Sequence, residues 1–396
     1  MKPLHENTIV YQDQAGVTAI GALSRRVLHQ AQDASDVIQR AIDAGGTVTL
    51  ERGRYALSRT LKLTDNVTLA GQGRGTVIVA DKNAAILAEK SVGVTVRDLA
   101  VDGGTAAPAG IVFDALFNAA VIGVVVRGFD RGIWFRNHTT LSRVSGCSLA
   151  GNRMAHVFFE QLREGPYGNY IPNQIENTMA FGGGPGFVCS NAIVVNLVGC
   201  TAYQTTGPGF HIHTQANSVL LSGCRTFQIT GPAVLVENAY EFNATGNIFC
   251  WATEHGIVVR DCRWGVISGN EIIDVGSFNP QPEIPNFSGR KADYQMPMFD
   301  CVRLEKTAGY SVTGNSLFNW PVLPPMDTGI REDAECRENI IVGNSINKFD
   351  RADIASAGKD SVVAQNVSRK DCHTGDWDRL QTFQRDITAE MIRRML

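Results

Sequence analysis

Nothing in this chain of 396 residues approaches the run of about 20 apolar residues that a membrane-spanning helix needs. Long Lys/Arg runs are absent too, and the formal charge is only -3, which argues against a dedicated nucleic-acid binder. The nine cysteines include no Cys-x-x-Cys pair with zinc-like spacing. Several sit inside apolar strand patterns, as buried free thiols do, and this fits a reducing compartment. Met1 to Tyr11 lacks a basic start followed by an apolar stretch, so no secretory signal is read there and a cytoplasmic location is the expectation. Proline is scarce, 14 residues against 40 glycines, which points to many tight turns. With 19% charged and 44% hydrophobic residues, the composition is that of a folded chain and not a disordered one.

What the chain does have is a repeat. Two mostly apolar residues, a glycine and a small or amide residue recur around Gly123, Gly146, Gly199, Gly223, Gly246, Gly269, Gly314 and Gly343. The regular gaps are 23 or 24 residues. Glu176 fills the long gap after Gly146, Gly71 and Asp98 extend the series upstream, and Gln365 extends it downstream. About ten residues after each tag comes a small residue followed by an apolar/any/apolar triplet. Gly132-Ile133-Trp134-Phe135-Arg136 and Gly209-Phe210-His211-Ile212-His213 are examples. The period of two marks strands, with alternate residues facing inward and outward. This repeat is too short for a propeller blade and lacks helical periodicity. One coil of a parallel β-helix, three short strands and three turns, fits it. Recurrent Asn or Cys at one turn then stacks into a ladder along the axis. The repeat length predicts about 12 coils between residues ~50 and ~370.

The opening of the repeat carries a resemblance. Asp36-Val37-Ile38-Gln39-Arg40-Ala41-Ile42 leads into GGTVTLERGRYALSRTLKL and then NVTLAGQGRGTVI. This order resembles the pectin lyase-like right-handed parallel β-helix superfamily, in which a helix caps the open coil end before the first strands. The resemblance implies an all-β fold with residues 33–370 as the solenoid. Residues 1–32 are then an N-terminal extension, and 371–396 a tail or cap. The expected helix, Asp36 to Ala44, starts behind Ser35 or Asp33 and stops at Gly45-Gly46.

Insertions in a solenoid map to loops, often on the binding face. About seven residues are added after Glu160. Larger insertions, Ser277 to Pro297 and Asn319 to Asp327, leave from the same turn in neighbouring coils. Trp251, Glu254 and His255 occupy that turn in the coil before, and Trp320 lies in the last insertion. The following strand places two outward columns in line. One reads Glu89, Asp114, Arg136, Glu160, Ser190, His213, Glu237, Arg260, Glu305, Asp333. The other reads Leu87, Val112, Trp134, Phe158, Val188, His211, Leu235, Val258, Arg303, Arg331. Outward positions are polar in any solenoid and alternating charges steady the stack. Against that plain reading, the loops, both histidines and the aromatics Tyr203, Trp251 and Trp320 gather near one stretch.

Glycan cleavage needs an acid and a base or nucleophile around the bond. Glu237 is the first candidate, with Glu305, Asp300 and Asp274 as partners and His213 or His211 as a proton shuttle. His211, Arg260, Arg303, Arg331, Tyr203, Trp251, Glu254, His255 and Trp320 are candidates for holding substrate. The His-x-His spacing permits metal ligation, but no third ligand is in view and no metal or other cofactor is expected. The familiar enzymes of the fold leave no full motif. The polygalacturonase series, the pectate lyase arginine motif with its calcium aspartates and the D-P-H of alginate epimerases are all missing. Glu237-Asn238 followed by Thr245-Gly246-Asn247 is similar to a pair of motifs in inulin fructotransferases. That likeness implies a homotrimer, carboxylate catalysis and Glu237 as the residue carried over.

The leading expectation is therefore an enzyme cleaving or rearranging glycosidic bonds of a polysaccharide or oligosaccharide (lyase, fructotransferase or hydrolase). A tailspike- or adhesin-like glycan binder without catalysis, and a purely structural β-helix, stand against it.

Overall fold

The computed structural model describes residues 6–104, 106–160, 172–276, 299–318, 326–347 and 349–369. It is an all-β solenoid, a right-handed parallel β-helix of about 12 coils with one helix near the N-terminus. Each coil passes through three parallel sheets, called A, B and C here, in that order along the chain. Sheet C has 12 strands, one per coil, as the repeat length predicts.

From Asp98 onward sheet A passes into sheet B through a corner residue with a left-handed backbone, whereas Gly71, in the same place one coil earlier, is not left-handed and opens a longer turn to Thr76. Glycine adopts it freely, which is why the tag recurs. Gly123, Gly146, Gly199, Gly223, Gly246, Gly269, Gly314 and Gly343 all have φ between 61° and 71°. Asp98 and Gln365 take the same place at 56° and 55°. In the long gap the corner residue is Asn177, φ 48°, and not Glu176. Glu176 is the last residue of its strand and pairs with Ser145 and Val198. An Asn tolerates the left-handed region better than a Glu, so the corner falls one residue later.

Immediately after each corner the side chain turns inward and stacks. Asn247, Asn270, Asn315, Asn344 and Asn366 form an amide ladder, each Nδ2 donating to the next Oδ1 at 2.8–2.9 Å. The same Oδ1 atoms accept the backbone N–H of the coil before, for example Asn247 N to Asn270 Oδ1 at 3.0 Å. Cys147, Cys200 and Cys224 hold this place in earlier coils, and Cys224 N–H donates to Asn247 Oδ1 at 2.8 Å. The eight cysteines among the described residues are all buried free thiols. Phenylalanines stack in the interior as well: Phe135 lies 5.4 Å from Phe113 and 4.5 Å from Phe159 between ring centroids.

The helix runs Ala34–Ala44, two residues longer at its start than the sequence predicts, because Asp33 is the N-cap. Its Oδ1 accepts the Ser35 N–H at 2.8 Å. Val37, Ile38, Ala41 and Ile42 are buried against the first coil, so the helix closes the open end. The N-terminal extension is itself folded. Thr8–Asp13, Gly16–Gly21 and Val27–Ala31 form antiparallel strands that lengthen sheet A, with Thr8–Asp13 pairing in parallel with Thr47–Leu50. No helix among the described residues is long and apolar enough to cross a membrane.

Candidate functional site

The outer face of sheet C carries both columns in the predicted register. Ser190 pairs with His213, and Glu237, Arg260 and Glu305 follow one another. Val188, His211, Leu235, Val258, Arg303 and Arg331 align in the column beside it. The period of two sends these side chains out while Ile212, Val236, Val259 and Leu304 pack the core.

These residues form one hydrogen-bonded chain. His211 Nε2 lies 3.2 Å from Glu237 Oε2. Arg260 donates from Nη1 to Glu237 Oε1 at 2.8 Å and from Nε to Glu305 Oε2 at 2.5 Å. Arg303 Nε donates to the other oxygen of Glu305, and its Nη1 reaches Asp300 Oδ2 at 3.4 Å. Arg331 Nε donates to the same Asp300 oxygen at 3.1 Å, while its Nη2 donates to Asp327 and to Thr328 Oγ1. Thus one histidine, three arginines and four carboxylates are linked along some five coils, about 20 Å at the strand spacing, with Asp300 and Asp327 buried beneath the outer face.

The members differ in state. Burial holds His211 below the usual imidazole range, against the upward pull of Glu237. A carboxylate only accepts, so Nε2 of the neutral His211 ring carries the proton toward Glu237 and Nδ1 keeps a lone pair. His213 lies tilted against it, centroids 4.3 Å apart, and is pushed down to about 4 by burial and then by His211. For Glu305, burial pulls upward, yet the bonds from Arg260 and Arg303 outweigh it and its acidity is increased. Glu305 is thereby a pinned anion. Glu237 has 33% of its side chain exposed against 18% for Glu305, and is the most exposed of these four linked carboxylates.

The structure sets Asp300 and Asp274 apart from the face. Both are wholly buried. Burial lifts Asp300 above the usual carboxylate range, although Arg331 and Arg303 draw it down. Its role in this geometry is to orient the two guanidiniums from beneath. His255 is also neutral: burial first, then Arg303, pushes it down to about 4. Its Nδ1 accepts the Asp300 backbone N–H at 2.9 Å. Asp274 accepts from the Trp251 indole N–H at 3.3 Å. Glu254 is exposed in the turn between sheets B and C.

Tyr203 and Trp251 belong to a different surface. They stand in an aromatic ladder at the end of sheet B, with centroid steps of 5.6 Å from Phe181 to Tyr203, 6.5 Å to Phe227 and 5.8 Å to Trp251. Tyr203 is flanked by a ring on either side, so it steadies the stack and offers no free face to a sugar. Trp320 and the insertions Ser277–Pro297 and after Glu160 lie outside the described residues, as does most of Asn319–Asp327. Sequence reasoning missed Asp327, which stands at the end of an insertion and gives no periodic signal. It also passed over the Trp134–Phe158 pair. There the Arg131 guanidinium sits 4.4 Å over Trp134 and 5.1 Å over Phe158, and Trp134 Nε1 donates to Glu160 at 3.1 Å. Both rings were legible in the outward column, but the larger insertions drew attention to later coils. No cluster of three metal-ligating side chains occurs among the described residues.

No protein-family model matches the chain, and no curated protein is similar to it in sequence. Solved structures are similar in fold. A mannuronan C-5 epimerase A-module from Azotobacter vinelandii has a TM-score of 0.54 at 19% identity over 85% of this chain and 96% of its own. A second epimerase A-module from the same organism has 0.56 at 16%, over 85% and 95%. The fold is theirs. The tailspike protein of E. coli bacteriophage HK620, solved in complex with a pentasaccharide, shares it as well, with a TM-score of 0.53 at 13% identity over 88% and 65%. This right-handed β-helix therefore shares its architecture with epimerases and tailspikes, while the D-P-H motif of alginate epimerases is absent from its sequence.

Proposed function

We propose that the protein is a carbohydrate-active enzyme that cleaves or rearranges glycosidic bonds on the outer strip of sheet C. The observation that carries this reading is the pairing of His211 with Glu237 at 3.2 Å on the open part of a strip otherwise locked by arginines. Glu237 acts as base or nucleophile toward the sugar. His211, neutral with its Nε2–H on Glu237, takes up the proton of the attacking water or hydroxyl on Nδ1, and the imidazolium so formed returns it to the leaving glycosidic oxygen. Arg260 fixes the carboxylate's direction, and Glu305 fixes Arg260. Asp300 does the same for Arg303 and Arg331.

Arg260, Arg303 and Arg331 each already bind a carboxylate of the protein. That arrangement favours a neutral glycan, with hydrolysis or intramolecular transfer, over elimination from a uronate, which needs a cation for the substrate carboxylate. Glycan binding without turnover is the second reading. Its support is that Glu237 and His211 satisfy one another in the absence of substrate. The fructotransferase likeness adds a homotrimer, to be checked by sedimentation equilibrium.

Mass spectrometry of products from a panel of fructans, uronans and neutral glucans tests the proposal. Products carrying one added water establish hydrolysis, and products one water lighter establish transfer or elimination. Absorbance at 235 nm separates those last two. The absence of any product across the panel, with binding retained, supports the second reading.

A further inference from the structure

The ends of the sheet B strands change character along the solenoid. From Phe181 onward they carry the aromatic ladder. Before it, the place one step before the corner holds Asp102, Arg127 and Ala150, in register with Phe181. The left-handed corner residues that follow are Gly128, Gly151 and Gly182, whereas later coils place Gln204, Gln228 and Trp251 there. A Cβ on Gly151 or Gly182 would meet nothing within 4 Å, so this floor is bare backbone open to solvent. The result is a cavity of about 550 Å³, within the range of roughly 300–1,000 Å³ typical of ligand sites.

One wall of the cavity is Phe181, whose next neighbour up the stack is Tyr203 at 13° between ring planes. On the other side the small Ala150, and not a ring, stands at the preceding rung, so the end of the stack borders the cavity. The far wall is Arg127, two coils before Phe181, whose Nε and Nη2 clasp Asp102 at 2.6 and 3.1 Å. Arg54 reaches the same carboxylate at 3.3 Å, and Asp81 lies at the rim. Two arginines and two aspartates leave the cavity neutral. The walls are two coil steps apart, about 9.6 Å. Subtracting one carbon contact distance of about 3.5 Å, half at each wall, leaves about 6 Å. A puckered sugar ring fills such a gap, and a single flat base leaves part of it empty.

We propose that this cavity is an accessory glycan-binding site, separate from sheet C, that takes one neutral sugar ring against the end of the aromatic stack at Phe181. The apolar C–H face of the ring lies on the phenyl group. On the opposite side its hydroxyls meet the Arg127 guanidinium, which Asp102, itself held by Arg54, neutralises and orients from behind. The site anchors a polymer on a face that the strip does not occupy. Its ligand class rests on the glycan reading above, and its geometry is independent of the strip.

The test is titration calorimetry of the full chain carrying Glu237→Gln, so that turnover at the strip does not interfere. The probes are cellohexaose, maltohexaose, mannohexaose, inulohexaose and hexagalacturonic acid at millimolar concentration. At least one neutral hexasaccharide is expected to bind, and to bind more tightly than the acid. Ala150→Phe extends the stack into the cavity and plugs it, and Phe181→Ala removes the wall. Each is expected to weaken that binding at least tenfold. Adding His211→Ala, a change on the strip, is expected to leave it unaltered. Unchanged affinity in both Ala150→Phe and Phe181→Ala overturns the site, as does preference for the acid or a lack of binding by every neutral probe. Binding lost on His211→Ala and retained on Ala150→Phe assigns the sugar to the strip alone, which overturns this site and leaves the function proposed for sheet C standing.

Discussion

Glu237 and Asn238 are neighbours in sequence with unrelated tasks. Asn238 has φ 49° and turns the chain out of sheet C, as Asn191, Thr214 and Asp261 do in adjacent coils. Gly246 turns the chain from sheet A to sheet B, and Asn247 is a rung of the amide ladder. Asn238, Gly246 and Asn247, three residues of the Glu-Asn and Thr-Gly-Asn pair, are thus explained by the fold. Glu237 turns no corner and enters no ladder; its bond to His211 and its partial exposure are the physical reasons to single it out. Several histidines shape the acid response: His213 and His255 are pushed down to about 4, and so is His156. His156 is completely buried, its Nε2 2.6 Å from Gly182 O, and burial pushes it down to about 4. Its folded value lies below its unfolded one near 6.5, so the unfolded chain takes up the proton first as pH falls. Stability is lost from about pH 6.5 to about pH 4, by about 3 kcal/mol from this group, and not further below. Urea unfolding across that window is expected to show the loss, and His156→Gln is expected to remove that part of the slope.

At the scale of elements, the columns of sheet C were legible because the period of two and the coil length together fix both face and neighbour. Corners do not obey that period. The shift from Glu176 to Asn177, and the burial of Asp274 and Asp300 beside the strand ends, depend on backbone turns that the alternation does not encode. The three N-terminal strands were hidden for another reason: they are antiparallel and precede the repeat that served as the ruler. The amide ladder, anticipated from recurrent Asn, makes a quantitative prediction. Asn270 Oδ1 accepts the Asn247 N–H, and its Nδ2 donates to Ala244 O at 2.9 Å. Asn270→Ala leaves buried backbone groups unpaired at a cost of about 1–3 kcal/mol each. A lower urea midpoint with unchanged far-ultraviolet dichroism at rest is the expected result.

For the whole molecule, each coil contacts chiefly its neighbours, so the exposed ends decide solubility. At the N-terminal end the helix Ala34–Ala44 and the strands from Thr8 to Ala31 cover the first coil and lengthen sheet A. Removing residues 1–32 uncovers the paired edge at Thr47–Leu50. The shortened chain is expected to associate through that edge, seen as concentration-dependent light scattering, while the full chain stays at a fixed mass. The same stacking that makes the ends vulnerable builds the strip: residues far apart in sequence, Glu237 and Glu305, are brought within reach of one guanidinium.

The most direct measurement compares Glu237→Gln with the unaltered chain on whichever glycan of the panel yields product. The account predicts turnover reduced at least a thousandfold, about 4 kcal/mol in the barrier, with the urea midpoint and dichroism essentially unchanged. Full turnover by the folded Glu237→Gln protein would contradict it and remove the strip's central residue from the chemistry.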